Sequence, residues 1–251
     1  MKKVLLLVSA MLVVMFSVAC ASHEHPARVN AQGQPVSDQR AEVLNRLTDS
    51  GKVLDELTNA PDQGIPEKVL AEAKCVAIVP DMVKGGFVIG GQHGRGVATC
   101  RVPGKGWTAP AFFTLTGGSW GAQIGAESVD LVMLFMNDQG VNQLLQSNWK
   151  IGGEGSIAAG PVGRDASAST DWKLRSQILT YSRTRGLFAG LTLNGANVRQ
   201  DDDSTQAFYH KNYDFRTLLT GKVPAPPQAN DFIATVRKDF REANASQNAS
   251  Q

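Results

Sequence analysis

The chain has 251 residues and an apolar fraction of 42%, enough to bury a real core in one large domain or two small ones. Its formal charge is only +2, and two of its cations, Lys2 and Lys3, lie in an N-terminal leader, so the remainder is neutral. A neutral body excludes nucleic acid as a general partner, because that ligand demands a net basic surface.

Residues 1–20 read as a signal peptide. Lys2-Lys3 is a basic start, and "VLLLVSAMLVVMFSV" is an apolar run too short for a membrane span. Two exits follow. "SVAC" makes Cys20 a candidate for lipidation, which gives an outer-membrane lipoprotein facing the periplasm. Ala19-Cys20-Ala21 is an ordinary cleavage site, and cutting after Ala21 gives a soluble periplasmic protein. Both readings export the chain. Residues 21–38, with "SHEHPARVNAQGQPVS", are a polar flexible tether. Its two histidines, His23 and His25, are too loosely placed to hold a metal, and no metal or cofactor is expected elsewhere.

The domain proper is expected over residues 39–220. Val43, Leu47, Leu54 and Leu57 recur on one face of a helix, an apolar face that could also insert between lipids. "PEKVLAEAK" predicts a second helix with Pro66 in its first turn. Then the texture changes. "CVAIVP", "GFVIGGQ", "GVATCR", "AFFTLT", "SWGAQIG" and "VDLVMLFM" are short apolar or alternating runs broken by Gly and Pro, and they read as successive strands. "DQGVNQLLQS" predicts one helix from Asp138. Strands resume at "KIGGEGSIAAG", "DWKLRSQILTYS" and "GLFAGLTLNG". Residues 221–251 hold a Pro-rich linker, a terminal helix with Phe232, Val236 and Phe240 at spacing four, and a low-complexity tail, "NASQNASQ", expected to be disordered. The fold class is α+β and β-rich: an antiparallel barrel- or sandwich-like sheet with N-terminal helices and a C-terminal helix.

Several motifs invite a chemical reading. If Cys20 is lipidated, Cys75 and Cys100 are an even pair in an oxidising compartment, either a disulfide or two buried thiols. Gly117-Gly118-Ser119-Trp120-Gly121 fits the nucleophile elbow G-x-S-x-G, which makes a serine hydrolase with Ser119 a remote alternative. An elbow needs a strand, a sharp turn and a helix, and the run after Ser119 does not read as a helix. His210 is the only histidine after Ser119. The expected role is a glycine-bearing β-turn, and the chain is read as no enzyme. "GGEGSIA" fits a dinucleotide pattern only loosely, with Gly160-Pro161 where a helix should follow. Asp201-Asp202-Asp203 lacks the spacing of a calcium hand and reads as a solvated acidic turn.

Residues 173–185 are the candidate ligand site. As a strand they put Lys173, Arg175, Gln177, Leu179, Tyr181, Arg183 and Arg185 on one face, with Arg164 nearby in sequence. Such a basic stripe could hold phosphate head groups, or it could be an ordinary solvated strand face.

Four segments taken together resemble the SYLF domain, a family that includes yeast and animal actin-patch proteins and bacterial envelope proteins. They are "AKCVAIVPDMVKGGFVIGGQHGRGVATCR", "GWTAPAFFTLTGGSWGAQIGAESVDLVMLFMN", "AAGPVGRDASASTD" and "YSRTRGLFAGLTLNG", and the likeness runs from about Gln39 to Leu219. The resemblance implies a non-catalytic domain that binds acidic phospholipid, phosphoinositides in eukaryotic members, with "TGGSWGAQIG" structural. The expected partner is therefore an anionic phospholipid membrane at the cell envelope. A structural or assembly factor acting through protein partners, which the sequence does not identify, is the other expectation.

Overall fold

The computed structural model describes residues 36–60, 64–152, 157–162, 176–184, 187–188 and 193–249. Two helices come first, α1 (Val36–Thr58) and α2 (Glu67–Glu72). The centre of the fold is a two-stranded ribbon of unusual length, β1 (Cys75–Val102) against β3 (Ala111–Phe135), joined through the short β2 (Gly106–Trp107). The six apolar runs expected as separate strands are therefore two strands. Their internal glycines do not reverse the chain.

The glycines instead let the ribbon fold over on itself. A Cβ at Gly94 would overlap the Val79 side chain, and one at Gly96 would lie 2.6 Å from the Ile78 carbonyl oxygen. The first and last thirds of β1 thus lie against each other, and only hydrogen fits between them. Register shifts fall between Val79 and Met82 and between Gly86 and Val88, where bulges bend the strand. Asp81 takes the left-handed region at the first of these, with φ 49°. Its backbone N–H donates to Asp130 Oδ1 (3.1 Å), and its carboxylate accepts from Ser128 Oγ (3.0 Å).

Each limb of the folded ribbon gathers its own strands. The limb around Val129–Phe135 pairs with β6 (Ile178–Thr184), which carries β5 (Ile157–Ala159) and β7 (Leu187–Phe188). The limb around Phe113–Thr116 pairs with β8 (Asn197–Gln200), which carries β4 (Asn148–Lys150). Among the described residues all pairings are antiparallel except β5 with β6, so the eight-stranded curled sheet is mixed. Helix α3 (Asp138–Leu144) starts where expected, and Asn137 caps it by accepting from the Gly140 N–H. Helices α4 (Asp202–Tyr209), α5 (Phe215–Leu219) and α6 (Asn230–Ala249) complete the chain. The last helix runs through most of the stretch expected to be a disordered tail.

Over residues 75–79 and 131–135 the sheet is buried on both faces. Inside the curl lie Val79, Phe113, Leu131, Met133 and Phe135, closed off by Leu144 of α3 and Phe215 and Leu218 of α5. On the outer face, Val76, Ile78, Val132 and Leu134 meet Leu47, Leu54 and Leu57 of α1 and Val236 and Phe240 of α6. Two-sided burial explains why "VDLVMLF" is an unbroken apolar run and not an alternating one.

At the closed end of the fold Cys75 and Cys100 form a disulfide, with Cα atoms 4.0 Å apart and a sequence separation of 25. Beside it, the Arg101 N–H donates to the Lys74 carbonyl (2.7 Å). Closing a loop of this length contributes about 3–4 kcal/mol through the unfolded state. The double change Cys75→Ser/Cys100→Ser should lower the urea unfolding free energy by that amount. Identical midpoints for the wild type and the variant would mean that packing alone holds the limbs together.

Candidate functional site

The face of β6 expected to carry the basic stripe is covered. Leu179 and Tyr181 are 0% and 2% exposed and lie in the core beneath α1. Arg183 bonds to Glu56 of α1 and to Asp130 of β3, the latter at 3.0 Å. Burial opposes its charge, but the two carboxylates outweigh that and hold the guanidinium above its ordinary value. So Tyr181 and Arg183 do not present a lipid-facing stripe. Nor is this a solvated strand face. It is core, and its cover is the same amphipathic helix whose Val43, Leu47, Leu54 and Leu57 could have met lipid instead. The Tyr181 ring sits against Gly160, where any Cβ would overlap it. Among the described residues its buried hydroxyl has no hydrogen-bond partner, and burial pushes the phenol well above its usual pKa. Arg164, Lys173, Arg175, Arg185 and Cys20 lie outside the described residues.

Asp201 is no solvated turn. It caps α4 by accepting from the Ser204 N–H (3.0 Å), and it is 7% exposed. Arg46 of α1 (3.3 Å) and Arg95 of β1 (3.2 Å) both reach its Oδ2. Burial works against the charge of Asp201, but Ser204 and the two guanidinia hold its carboxyl below the usual range. Arg46 is pushed down to about 10, chiefly by burial and then by Arg95. Its guanidinium also lies over the Phe112 ring, 5.9 Å from the centroid. This buried cluster fastens α1 to α4 and β1.

Ser119 sits within β3, paired with Gly90, and strand continues on both sides. A nucleophile elbow needs a turn into a helix at that point, and the backbone has none. His210 ends α4 in the left-handed region (φ 56°), with Nε2 2.6 Å from Arg40 Nη1.

The face that is open lies on the other limb. Strand register sets two rows across β1, β3, β8 and β4: Arg95–Thr114–Arg199–Asn148 and His93–Thr116–Asn197–Lys150. Directly paired residues share a face, and each row spans about 15 Å at ordinary strand spacing. His93, Thr116, Asn148, Lys150 and Arg199 are exposed. Arg95 is tied to Glu42 (2.8 Å) and Asp201, whereas no ion pair of Lys150 or Arg199 is found among the described residues. The two rows hold no acidic residue. Sequence reasoning missed them because Lys150 and Arg199 lie far apart in the chain. Only the β4–β8 pairing joins them, and a three-residue strand leaves little pattern to find.

A cleft of about 400 Å³ separates α1 from α6, floored by Leu47 and Phe232. Its lysines are already neutralised, Lys52 by Asp49 (3.0 Å) and Lys238 by Asp55 (2.8 Å), so it has no preference for an anion. Next to it is Asp239 of α6, 1% exposed, with neither carboxylate oxygen hydrogen-bonded among the described residues. Burial raises it to about 7, and Asp55 and Glu242 add to the rise against Lys238.

Comparison with known proteins places these features in a family. Residues 116–239 match Ysc84, described as "Las17-binding protein actin regulator". The chain is 33% identical over 188 residues to SH3 domain-containing YSC84-like protein 1 of Homo sapiens, covering 72% of this chain and 55% of that one. It is 33% identical over 175 residues to Protein YSC84 of Saccharomyces cerevisiae, covering 68% and 37%. The chain thus spans about half the length, or less, of the curated relatives it matches.

Two measurements check this geometry. Tyr181→Phe removes a buried hydroxyl that has no partner among the described residues, so it should be neutral or stabilising by about 1 kcal/mol, whereas Tyr181→Ala should cost about 3–5 kcal/mol. A Tyr181 facing solvent would make both changes small. For Asp239, the folded pKa of about 7 lies above its unfolded value, so the folded state binds the extra proton. Its contribution is present at about pH 4 and is lost as pH rises through 7, by up to about 4 kcal/mol. Asp239→Asn should flatten the stability profile between those pH values, and an unchanged slope in chemical denaturation would show that the carboxyl ionises freely.

Proposed function

Because the chain belongs, through residues 116–239, to the Ysc84 family, we propose that it is a non-catalytic binding domain whose ligand is an anionic phospholipid surface at the cell envelope. The observation that carries this is the pair of open rows on β1, β3, β8 and β4, where Lys150 and Arg199 stand without an acidic residue among their row neighbours. In a chain with a neutral body, attraction to a negative surface has to be local, and these rows are where cations are left to act. Arg164, Lys173, Arg175 and Arg185 remain part of the proposed contact. The leader-like residues 1–20 and the Cys75–Cys100 disulfide support an oxidising compartment, with Cys20 as the proposed acylation site.

A second reading has the family's own description behind it. "Las17-binding" names a protein partner for the family, so the same open rows could dock an envelope protein as part of an assembly.

Each basic side chain near an anionic surface is worth about 1 kcal/mol. Lys150→Gln/Arg199→Gln should therefore weaken binding to phosphatidylglycerol vesicles roughly 10- to 30-fold. The assay is co-sedimentation of the exported Cys20→Ala protein, which carries no acyl chain, with circular dichroism confirming the fold. Added salt should weaken the wild-type interaction as well. Binding indifferent to both the substitutions and salt would transfer support to the protein-partner reading.

A further inference from the structure

The fold places a second, chemically different feature beside the open rows. The ribbon doubles back with the Cys75–Cys100 disulfide at one end and the stretch around Val88 and Gly121 at the other. Going along the ribbon from the rows, Arg95 pairs with Thr114, His93 with Thr116, Gly91 with Gly118 and Ile89 with Trp120. The pairs of Arg95, His93 and Gly91 fall on alternate register positions, so they share one face, and the backbone pairing continues to Ile89 and Trp120. Gly91 and Gly118 are both exposed, and so is that face at His93 and Thr116.

The ribbon end carries no charge. "GGFVIGGQ" runs from Gly85 to Gln92 and "GGSWGAQIG" from Gly117 to Gly125 without an acidic or basic residue. The next charged residues on the first limb are Lys84 and Glu127, paired directly across the ribbon. Within this uncharged end lie Phe87, Val88, Ile89, Trp120 and Ile124, framed by glycines. Just behind it on the first limb, Val83 is 54% exposed, an apolar side chain left in water.

We propose that this ribbon end, residues 85–91 with 117–125, is the element that enters the lipid surface, and that the His93 and Lys150 row behind it meets the head groups. The proposal rests on the lipid reading above and identifies how that face engages. A bilayer is layered in the same order: an acyl boundary, then a belt of phosphates. Strand rise puts His93 about 13 Å from Ile89 along the ribbon. Entry by about 5–10 Å, the usual depth of an interfacial element, then brings the cationic row to phosphate level. Tryptophan favours this boundary, since its ring is apolar and its N–H stays near water. Charge complementarity selects an anionic bilayer as the occupant, because the cations stand directly behind the apolar end.

The test uses the exported Cys20→Ala protein with vesicles of phosphatidylglycerol and phosphatidylcholine in equal parts. In one arm the phosphatidylcholine carries bromine on its acyl chains, which quenches tryptophan at the boundary. Wild-type emission should be quenched, and Trp120→Phe should remove most of the quenching while leaving Trp107, Trp149 and Trp172 in place. In the second arm, Phe87→Ser/Ile89→Ser should weaken binding roughly tenfold or more while keeping the salt dependence that Lys150→Gln/Arg199→Gln loses. Wild-type binding without quenching, or quenching that survives Trp120→Phe, overturns insertion by this end and leaves the lipid reading standing. No binding by the wild type overturns both. If the double serine variant does not fold, the conservative Trp120→Phe arm decides.

Discussion

One strand touching itself organises this protein. Gly94 and Gly96 lie so close to Val79, Met82 and Ile78 that a methyl group at either position would force the limbs of β1 apart. Because that contact holds, a ribbon that could have been a flat hairpin becomes the wall of a closed core. Each limb then recruits its own strands, β6 and β5 on one side, β8 and β4 on the other. The inner cluster from Cys75 to Phe135 has no existence in an unfolded-over ribbon, since its members come from both limbs. Bulges near Pro80 and Gly86 supply the bend, and interior packing supplies the reason to make it.

The outer face of that wall needs a cover, and α1 is most of it. Burying side chains such as Leu47, Leu54 and Leu57 contributes about 1.5–3 kcal/mol each. Apolar contact alone would let the helix slide along the sheet. Two ion pairs prevent this: Arg46 with Asp201 at the middle of the helix, and Glu56 with Arg183 in its last turn. Only the Arg46–Asp201 pair is buried; a buried pair adds little net stability, yet removing one partner strands the other charge at about 3–5 kcal/mol. The two pairs therefore act as position markers. The helix is held in one place, and beyond its Glu42–Arg95 contact the rows stay exposed at His93, Thr116, Lys150 and Arg199.

Much of this architecture was legible in the residues, and the failures share a cause. The helical faces of α1 and α6 followed from Val43, Leu47, Phe232 and Phe240, and all four are buried. The β-rich middle was equally plain. What spacing could not show was the meaning of glycine inside a strand. Gly94 and Gly96 read as breaks, because a missing side chain looks the same whether it permits a turn or a close approach. The stripe at Leu179, Tyr181 and Arg183 was placed on one face correctly, but periodicity divides a strand into two faces without saying which is wet. Asp201 looked solvated because three acids in a row usually are. Its partners Arg46 and Arg95 are more than a hundred residues away in sequence. Lys150 and Arg199 become neighbours only through β8.

The location of the disulfide has a consequence for the order of folding. Cys100 stands near the loop where β1 and β3 begin to pair, at Ala98 with Ala111, whereas Cys75 stands at the last pair, with Phe135. Contacts close in sequence form first, because the entropy of closing a short loop is smaller. The ribbon accordingly zips from Cys100 toward Cys75 and must bend before its final residues can return to their start. Native pairing of the two sulfurs therefore belongs to the end of that process. Oxidation fastens a ribbon that has already found its register, and the oxidant acts as a latch and not as a guide.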